Sequence, residues 1–210
     1  MPETQPSSPA AAEVAAASVR KRPKPGERRI QILQALAGML EHPSGERITT
    51  AALAARLDVS EAALYRHFAS KAQMFEGLID FIEQSVFSLL NQIVAHAQES
   101  HLSAADVGTR QAARIVTMLM QFAEKNPGMA RVMAGDALVL ENERLQQRIN
   151  LFFDKLEAAL KQCLREGPDV HVRCTVLVAF LNGRLQRFVR SGFKRLPSEQ
   201  LDASLGLLLG

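Results

Sequence analysis

Apolar residues recur along this chain at intervals of three and four, the spacing that gathers side chains onto one face of an α-helix. From Glu27 to Glu41 the stripe is Ile30, Leu33, Leu36, Ala37 and Leu40, and His42-Pro43-Ser44-Gly45 breaks it. A long helix is expected from Ser70 to about Glu99, through Phe75, Leu78, Ile79, Ile82, Val86, Leu89, Leu90 and Ile93. Gly108 to Asn126 follows with Ile115, Val116, Met118, Leu119, Met120 and Phe122, and Asn126-Pro127-Gly128 reads as its stop. A short Met129 to Leu140 segment precedes a helix from Glu141 to Arg165. Beyond Glu166-Gly167-Pro168, a last long helix spans Asp169 to Phe193, and the closing Leu207-Leu208-Leu209-Gly210 reads as a truncated helix. The fold class is all-α.

Between the first helix and the long one, the pattern shortens. Thr49 is placed to cap one helix, with Ile48 and Leu53 at hydrophobic-staple spacing, and Ser60 caps a second, with Val59 and Leu64 repeating the staple. Ser70 and Gln73 have capping-box spacing at the start of the long helix. Helices this short do not stand alone, so they pack on one another with a sharp turn between Leu57 and Ser60. Leu53 and Leu57 point inward from the first, Leu64 and Phe68 from the second.

What points outward from the second short helix is Glu61, Ala62, Ala63, Tyr65 and Arg66. Small at one end and polar beyond it, this surface fits a DNA major groove, where Ala methyls meet thymine methyls. Glu61, Ala62, Ala63 and Arg66 are assigned to base edges. Thr49, Thr50, Ser60, Tyr65, His67 and Lys71 are assigned to phosphates. Lys71 stands among free N–H groups in the first turn of the long helix, where a cation is mildly unfavourable and an anionic partner would explain it.

Composition narrows the classes. With 210 residues, 47% hydrophobic and 22% charged, the chain has material for one large or two small domains. Net charge is only +3, yet Arg20, Lys21, Arg22, Lys24, Arg28 and Arg29 lie close together. Met1 to Gly26, rich in Pro, Ala and Ser, is expected to be a disordered arm whose basic end either trails along DNA or is simply solvated. No apolar run reaches the ~18 residues that span a bilayer, and the N-terminus lacks a secretory pattern. Cys163 and Cys174 fit reduced thiols in a cytoplasm. His171 lies three before Cys174, without the two further ligands a zinc site needs nearby. No Gly-rich phosphate loop or Ser-containing elbow is present, and Glu141 and Glu143 fall on different helix faces, so an enzyme is not expected and no cofactor is implied.

The run ITTAALAARLDVSEAALYRHFASKAQMF resembles the helix-turn-helix of TetR-type DNA-binding proteins, with its Thr-Thr, its turn ending Val-Ser, and its Leu-Tyr-x-His-Phe-x-Ser-Lys. Asp58 departs from that pattern, standing where the family usually has Gly, and Asp tolerates the left-handed backbone such a turn needs. The resemblance implies three parts: the arm over 1–26, a DNA-reading head over 27–73, and a helical dimerisation and partner-binding domain over 74–210. Residue pattern and resemblance agree on a dimer. The last two long helices have more apolar surface than one partner covers, and Gly183 admits a close backbone. Two copies of that hairpin make the four-helix interface of TetR-like homodimers, whose paired heads select palindromic double-stranded DNA.

The second domain admits two readings. Met118, Met120 and Phe122 would line a pocket in a ligand-responsive transcriptional repressor. Alternatively, FAEKNPGMARVMAGDALVLENERLQQRIN and AFLNGRLQRFVRSGFKRLP resemble the nucleoid occlusion factors, TetR-like dimers that bind sites scattered over the chromosome and disrupt polymers of the division protein FtsZ. That resemblance places Phe81, Lys125 and Asn126 in an FtsZ-binding patch and the protein on the nucleoid. Core packing for Phe81 and capping for Asn126 are equally open. The basic run Arg184, Arg187, Arg190, Lys194 and Arg195 either meets an acidic peptide of the partner or is a solvated face.

Overall fold

The computed structural model describes residues 26–42, 48–96, 102–139 and 141–210. The basic arm except Gly26, and the Pro43-Ser44-Gly45 breaker, lie outside the described residues. Those described form nine α-helices and one 3-10 turn, with no strand. Helices α1 (Glu27–Leu40), α2 (Thr50–Arg56) and α3 (Glu61–Tyr65) make a small head. Helix α4 (Lys71–Ala95) starts in the head and runs into a body of α5 (Ala104–Lys125), α6 (Pro127–Met133), the 3-10 turn Asp136–Leu138, α7 (Glu143–Leu164), α8 (Val170–Arg190) and α9 (Leu201–Leu209).

One apolar core passes through both parts. Leu36, Leu53, Leu64 and Phe68 fill the head, Phe75 and Ile82 continue along α4, and Leu119, Phe152, Leu160, Leu177 and Leu185 fill the body. Backbone meets backbone at two glycines: a Cβ on Gly128 would lie 1.9 Å from the Ala37 carbonyl oxygen, and one on Gly108 would lie 2.0 Å from that of Cys163. Gly128 therefore seats α6 directly on α1. Arg131, on the same helix, donates to the carbonyls of Leu40 and His42 while pairing with Asp136. It thereby satisfies carbonyls at the end of α1 that no further helical turn would reach.

Helices α4 and α7 run parallel, because their partners advance together: Glu76 faces Arg144, Asp80 and Glu83 face Arg148, and Phe87 meets Phe152 edge-on at 5.9 Å. Lys155 also bonds Glu83. Helix α4, 25 residues long, is apolar enough by length and composition to cross a membrane, although Glu76, Asp80 and Glu83 interrupt its apolar run. Here it is divided between Leu78, Ile79, Ile82 and Val86, buried in the core, and the carboxylates paired to α7.

Four details differ from the residue pattern. Ile30 is exposed, and Ile32 takes its place in the buried stripe of α1. Leu89 is 38% exposed and so is not a core residue. Helix α5 begins at Ala104, capped by Ser103, whose hydroxyl accepts from the Asp106 N–H. Asn126-Pro127-Gly128 ends α5 but also opens α6, with Pro127 at a first-turn position where its missing N–H costs nothing.

Candidate nucleic-acid interface

The two short helices of the head, and α4 after them, each begin on a side-chain cap. Thr49 accepts from Ala52 N–H at 3.1 Å, Ser60 from Ala63 N–H at 3.2 Å, and Ser70 from Gln73 N–H at 3.1 Å. Gln73 reaches back to the N–H of Ala69, one residue before the position a capping box would use. The turn closes through Asp58, left-handed at φ 53°, followed by a bond from Val59 N–H to the Ala54 carbonyl. Both expected staples have their members in the core, Ile48 and Leu53 buried, Leu64 buried with Val59 packed against it.

This frame holds up the expected reading face. Glu61, Ala62, Tyr65 and Arg66 are exposed, whereas Ala63 and His67 are half-buried. Glu61 accepts the Thr50 hydroxyl proton at 2.5 Å, and Tyr65 donates to the Thr50 oxygen at 3.4 Å, so three of the assigned residues from two helices form one chain of hydrogen bonds. Beneath it, the Arg29 guanidinium lies 4.1 Å over the Phe68 ring and donates to the His67 carbonyl. Arg29 fixes the far end of α3, a role that clustering of basic residues did not reveal.

Lys71 has a partner inside the chain. Its ammonium bonds Glu141 at 2.5 Å, 70 residues away in sequence, and stands 5.7 Å from the Phe75 ring centre. The cation at the start of α4 is thus already offset by a carboxylate, where helix electrostatics alone pointed to a phosphate.

The body candidates are dispersed. Phe81 is half-buried and packed against the core, Lys125 is exposed, and the Asn126 amide donates to the Phe122 carbonyl at 2.8 Å, ending α5. Arg184 is engaged by the Glu199 carbonyl, the Ser204 hydroxyl and the Phe180 ring. Arg187, Arg190 and Lys194 are exposed and make no ion pair among the described residues. A bond from Ser198 N–H to Glu124 brings the segment after Lys194 against the end of α5, one residue from Lys125. Met118 lines an open groove of about 520 Å³ between α5 and α9 with Arg110, Arg114 and Leu205, whereas Met120 is wholly buried and does not line that groove.

On the α7–α8 hairpin, Leu151, Val172 and Val176 are 46%, 62% and 42% exposed, and a Cβ on Gly183 would meet nothing within 4 Å. Cys163 and Cys174 are buried, and burial pushes both thiols up. His171 is exposed, whereas Cys174 is buried.

Comparison with known proteins supplies the lineage. Residues 32–78 match the model described as bacterial regulatory proteins, tetR family, and residues 109–209 match an SlmA-like model described as tetracyclin repressor-like, C-terminal domain. The nucleoid occlusion factor SlmA of Alteromonas mediterranea is 47% identical over 188 residues, 85% of this chain and 92% of the relative. That of Colwellia psychrerythraea is 46% identical over 202 residues, covering 92% and 98%, and that of a Marinomonas species is 50% identical over 185 residues, covering 84% and 90%. Among solved structures, the fatty acid degradation regulator FadR of Bacillus halodurans superposes with a TM-score of 0.70 at 17% identity, over 90% of this chain and 97% of that one. FadR of Bacillus subtilis in complex with stearoyl-CoA gives 0.67 at 16%, over 86% and 97%. At that identity the two share the fold alone.

Proposed function

The chain belongs to the SlmA family of nucleoid occlusion factors, DNA-binding proteins of the TetR type, and from that membership we propose that it acts as a homodimer that grips palindromic chromosomal DNA and restrains FtsZ assembly over the nucleoid. The observation that carries this reading is the similarity of the body: the SlmA-like model spans 109–209, well beyond the head that TetR-type regulators have in common.

The physical division of labour follows. Thr49, Ser60, His67 and Lys71 position the head on phosphates, Thr50 and Tyr65, whose hydroxyl protons go to Glu61 and Thr50, hold the reading face in place beside them, and Glu61, Ala62, Ala63 and Arg66 face the bases. The α7–α8 faces of two copies, through Leu151, Val172, Val176 and the gap at Gly183, set the distance between heads. Phe81 and the Lys125-Asn126 corner are the candidate FtsZ contacts, with Arg187, Arg190 and Lys194 offering cations to an acidic segment. Of these, Asn126 gives one amide N–H to the Phe122 carbonyl and keeps its second N–H and its amide oxygen for a partner. The site of action is the cytoplasm, on the nucleoid.

Sedimentation of FtsZ polymers tests the division role: less FtsZ should pellet when protein and a duplex it binds are added together than with either alone. Undiminished pelleting, alongside normal DNA binding, would leave a transcriptional regulator in its place.

A further inference from the structure

The exposed side chains of α3 and its C-terminal cap that can hydrogen-bond a base edge are Glu61, Tyr65 and Arg66, since Ala62 offers only a methyl. Of these, Glu61 is the unexpected one. Each unit charge of like sign 4 Å away costs about 1 kcal/mol even in water, and a duplex lines its grooves with phosphates. A carboxylate on a DNA-facing surface is therefore a liability unless it accepts a hydrogen bond that only the right sequence donates.

The hydrogen-bond chain around it aims that carboxylate. Thr50 has a single hydroxyl proton and gives it to Glu61 Oε2 at 2.5 Å, which leaves its oxygen to accept from Tyr65 at 3.4 Å. The polarity runs one way, from Tyr65 through Thr50 to Glu61. With Oε2 held, Oε1 makes no hydrogen bond among the described residues. The side chain is thus tethered through Oε2, and Oε1 remains able to accept.

We propose that Glu61 is a specificity-determining residue that accepts a hydrogen bond from the N4 amino group of one cytosine in each half-site, with Thr50 and Tyr65 as its positioning residues. In the major groove cytosine shows an isolated amino donor. Adenine sets its N7 acceptor beside its amino group, a pair that suits an amide and repels a carboxylate. Glu61 accordingly adds little gross affinity but disfavours every duplex lacking cytosine at that position. This rests on the DNA-binding role proposed above for the head.

Selection of binding sites from randomised duplexes by the full-length chain, repeated for Glu61→Gln, Glu61→Ala, Thr50→Val and Thr50→Ser, tests it. The unchanged protein should specify cytosine at one symmetric pair of positions. Glu61→Gln, with its amide oxygen held by Thr50 and its NH2 donors in the place of Oε1, should lose cytosine and shift that pair toward guanine, which presents acceptors, changing the cytosine-to-guanine ratio by on the order of tenfold or more, while other positions and the salt slope stay as they were. Glu61→Ala should erase the preference there and bind unrelated duplexes more tightly. Thr50→Val should blur it in part, and Thr50→Ser should restore it. Equal melting temperatures across the series exclude misfolding. The inference is overturned if Glu61→Gln alters affinity uniformly while every base preference is kept. Loss of all sequence preference in the unchanged protein would instead overturn the DNA reading on which it rests.

Discussion

Gly128, in the first turn of α6, and Gly183, in the interior of α8, have opposite surroundings. At Gly128 the place of a missing Cβ is filled by the Ala37 carbonyl, and at Gly183 it is filled by nothing. The first lies in a finished seam, where α6 locks the reading head to the body with Arg131 bridging both sides. The second lies about two turns along α8 from Val176, which with Leu151 of α7 is apolar and exposed in the single chain. A glycine inside a helix costs about 1 kcal/mol relative to alanine, so Gly183 is best explained by a neighbour that comes close, as Gly128 is by the Ala37 carbonyl. One neighbour is within the chain, and the proposed dimer supplies the other.

The largest effect should come from breaking the open face. Leu151→Glu with Val176→Glu places carboxylates where two copies would meet. Light scattering should report a monomer at micromolar concentration, and affinity for a palindromic duplex should fall on the order of a hundredfold as the second head loses its tether. A double variant that remains dimeric would move the interface elsewhere. At the closed seam, Gly128→Ala forces its methyl against backbone that cannot swing aside. It should cost roughly 1–3 kcal/mol, a loss of about 2–12 °C in melting temperature by differential scanning fluorimetry. Gly183→Ala should leave the fold intact and weaken only self-association. Equal losses of melting temperature at both glycines would erase the contrast.

Lys71 sharpens the same contrast on a smaller scale, because its charge is engaged within the chain and yet assigned to DNA. Lys71→Ala should weaken binding to all duplexes and flatten the dependence of log affinity on log salt by about one unit. A change confined to sequence preference would refute the phosphate role. Glu141→Gln frees the ammonium and should raise affinity by a few-fold at low salt. An unchanged affinity would mean that Lys71 stays with its carboxylate when DNA binds.

The head was legible because its determinants are local. Caps, staples and the Asp58 turn act over a few residues, and a fixed spacing reports them. The start of α5 was missed because Ala104 to Gly108 carries no apolar stripe, leaving Ser103 as its one marker. Helix α6 was hidden by a Pro-Gly pair that reads equally well as an ending and, with proline in a first turn, as a beginning. Leu89 has the right helical period but faces outward, since periodicity places a residue on a face without saying where the cover stops. The partners of Lys71 and Arg29 lie 70 and 38 residues away, and no local pattern encodes such pairs.

The parallel run of α4 beside α7 carries a mechanical corollary. At 1.5 Å per residue, the 25 residues of α4 make a lever about 37 Å long with one end in the reading head. Pivoting such a rod by 5° sweeps its tip through about 3 Å, close to the rise of one base pair. Tilts too slight to disturb the packing midway would be enough to bring a pair of heads into or out of step with the pitch of a duplex.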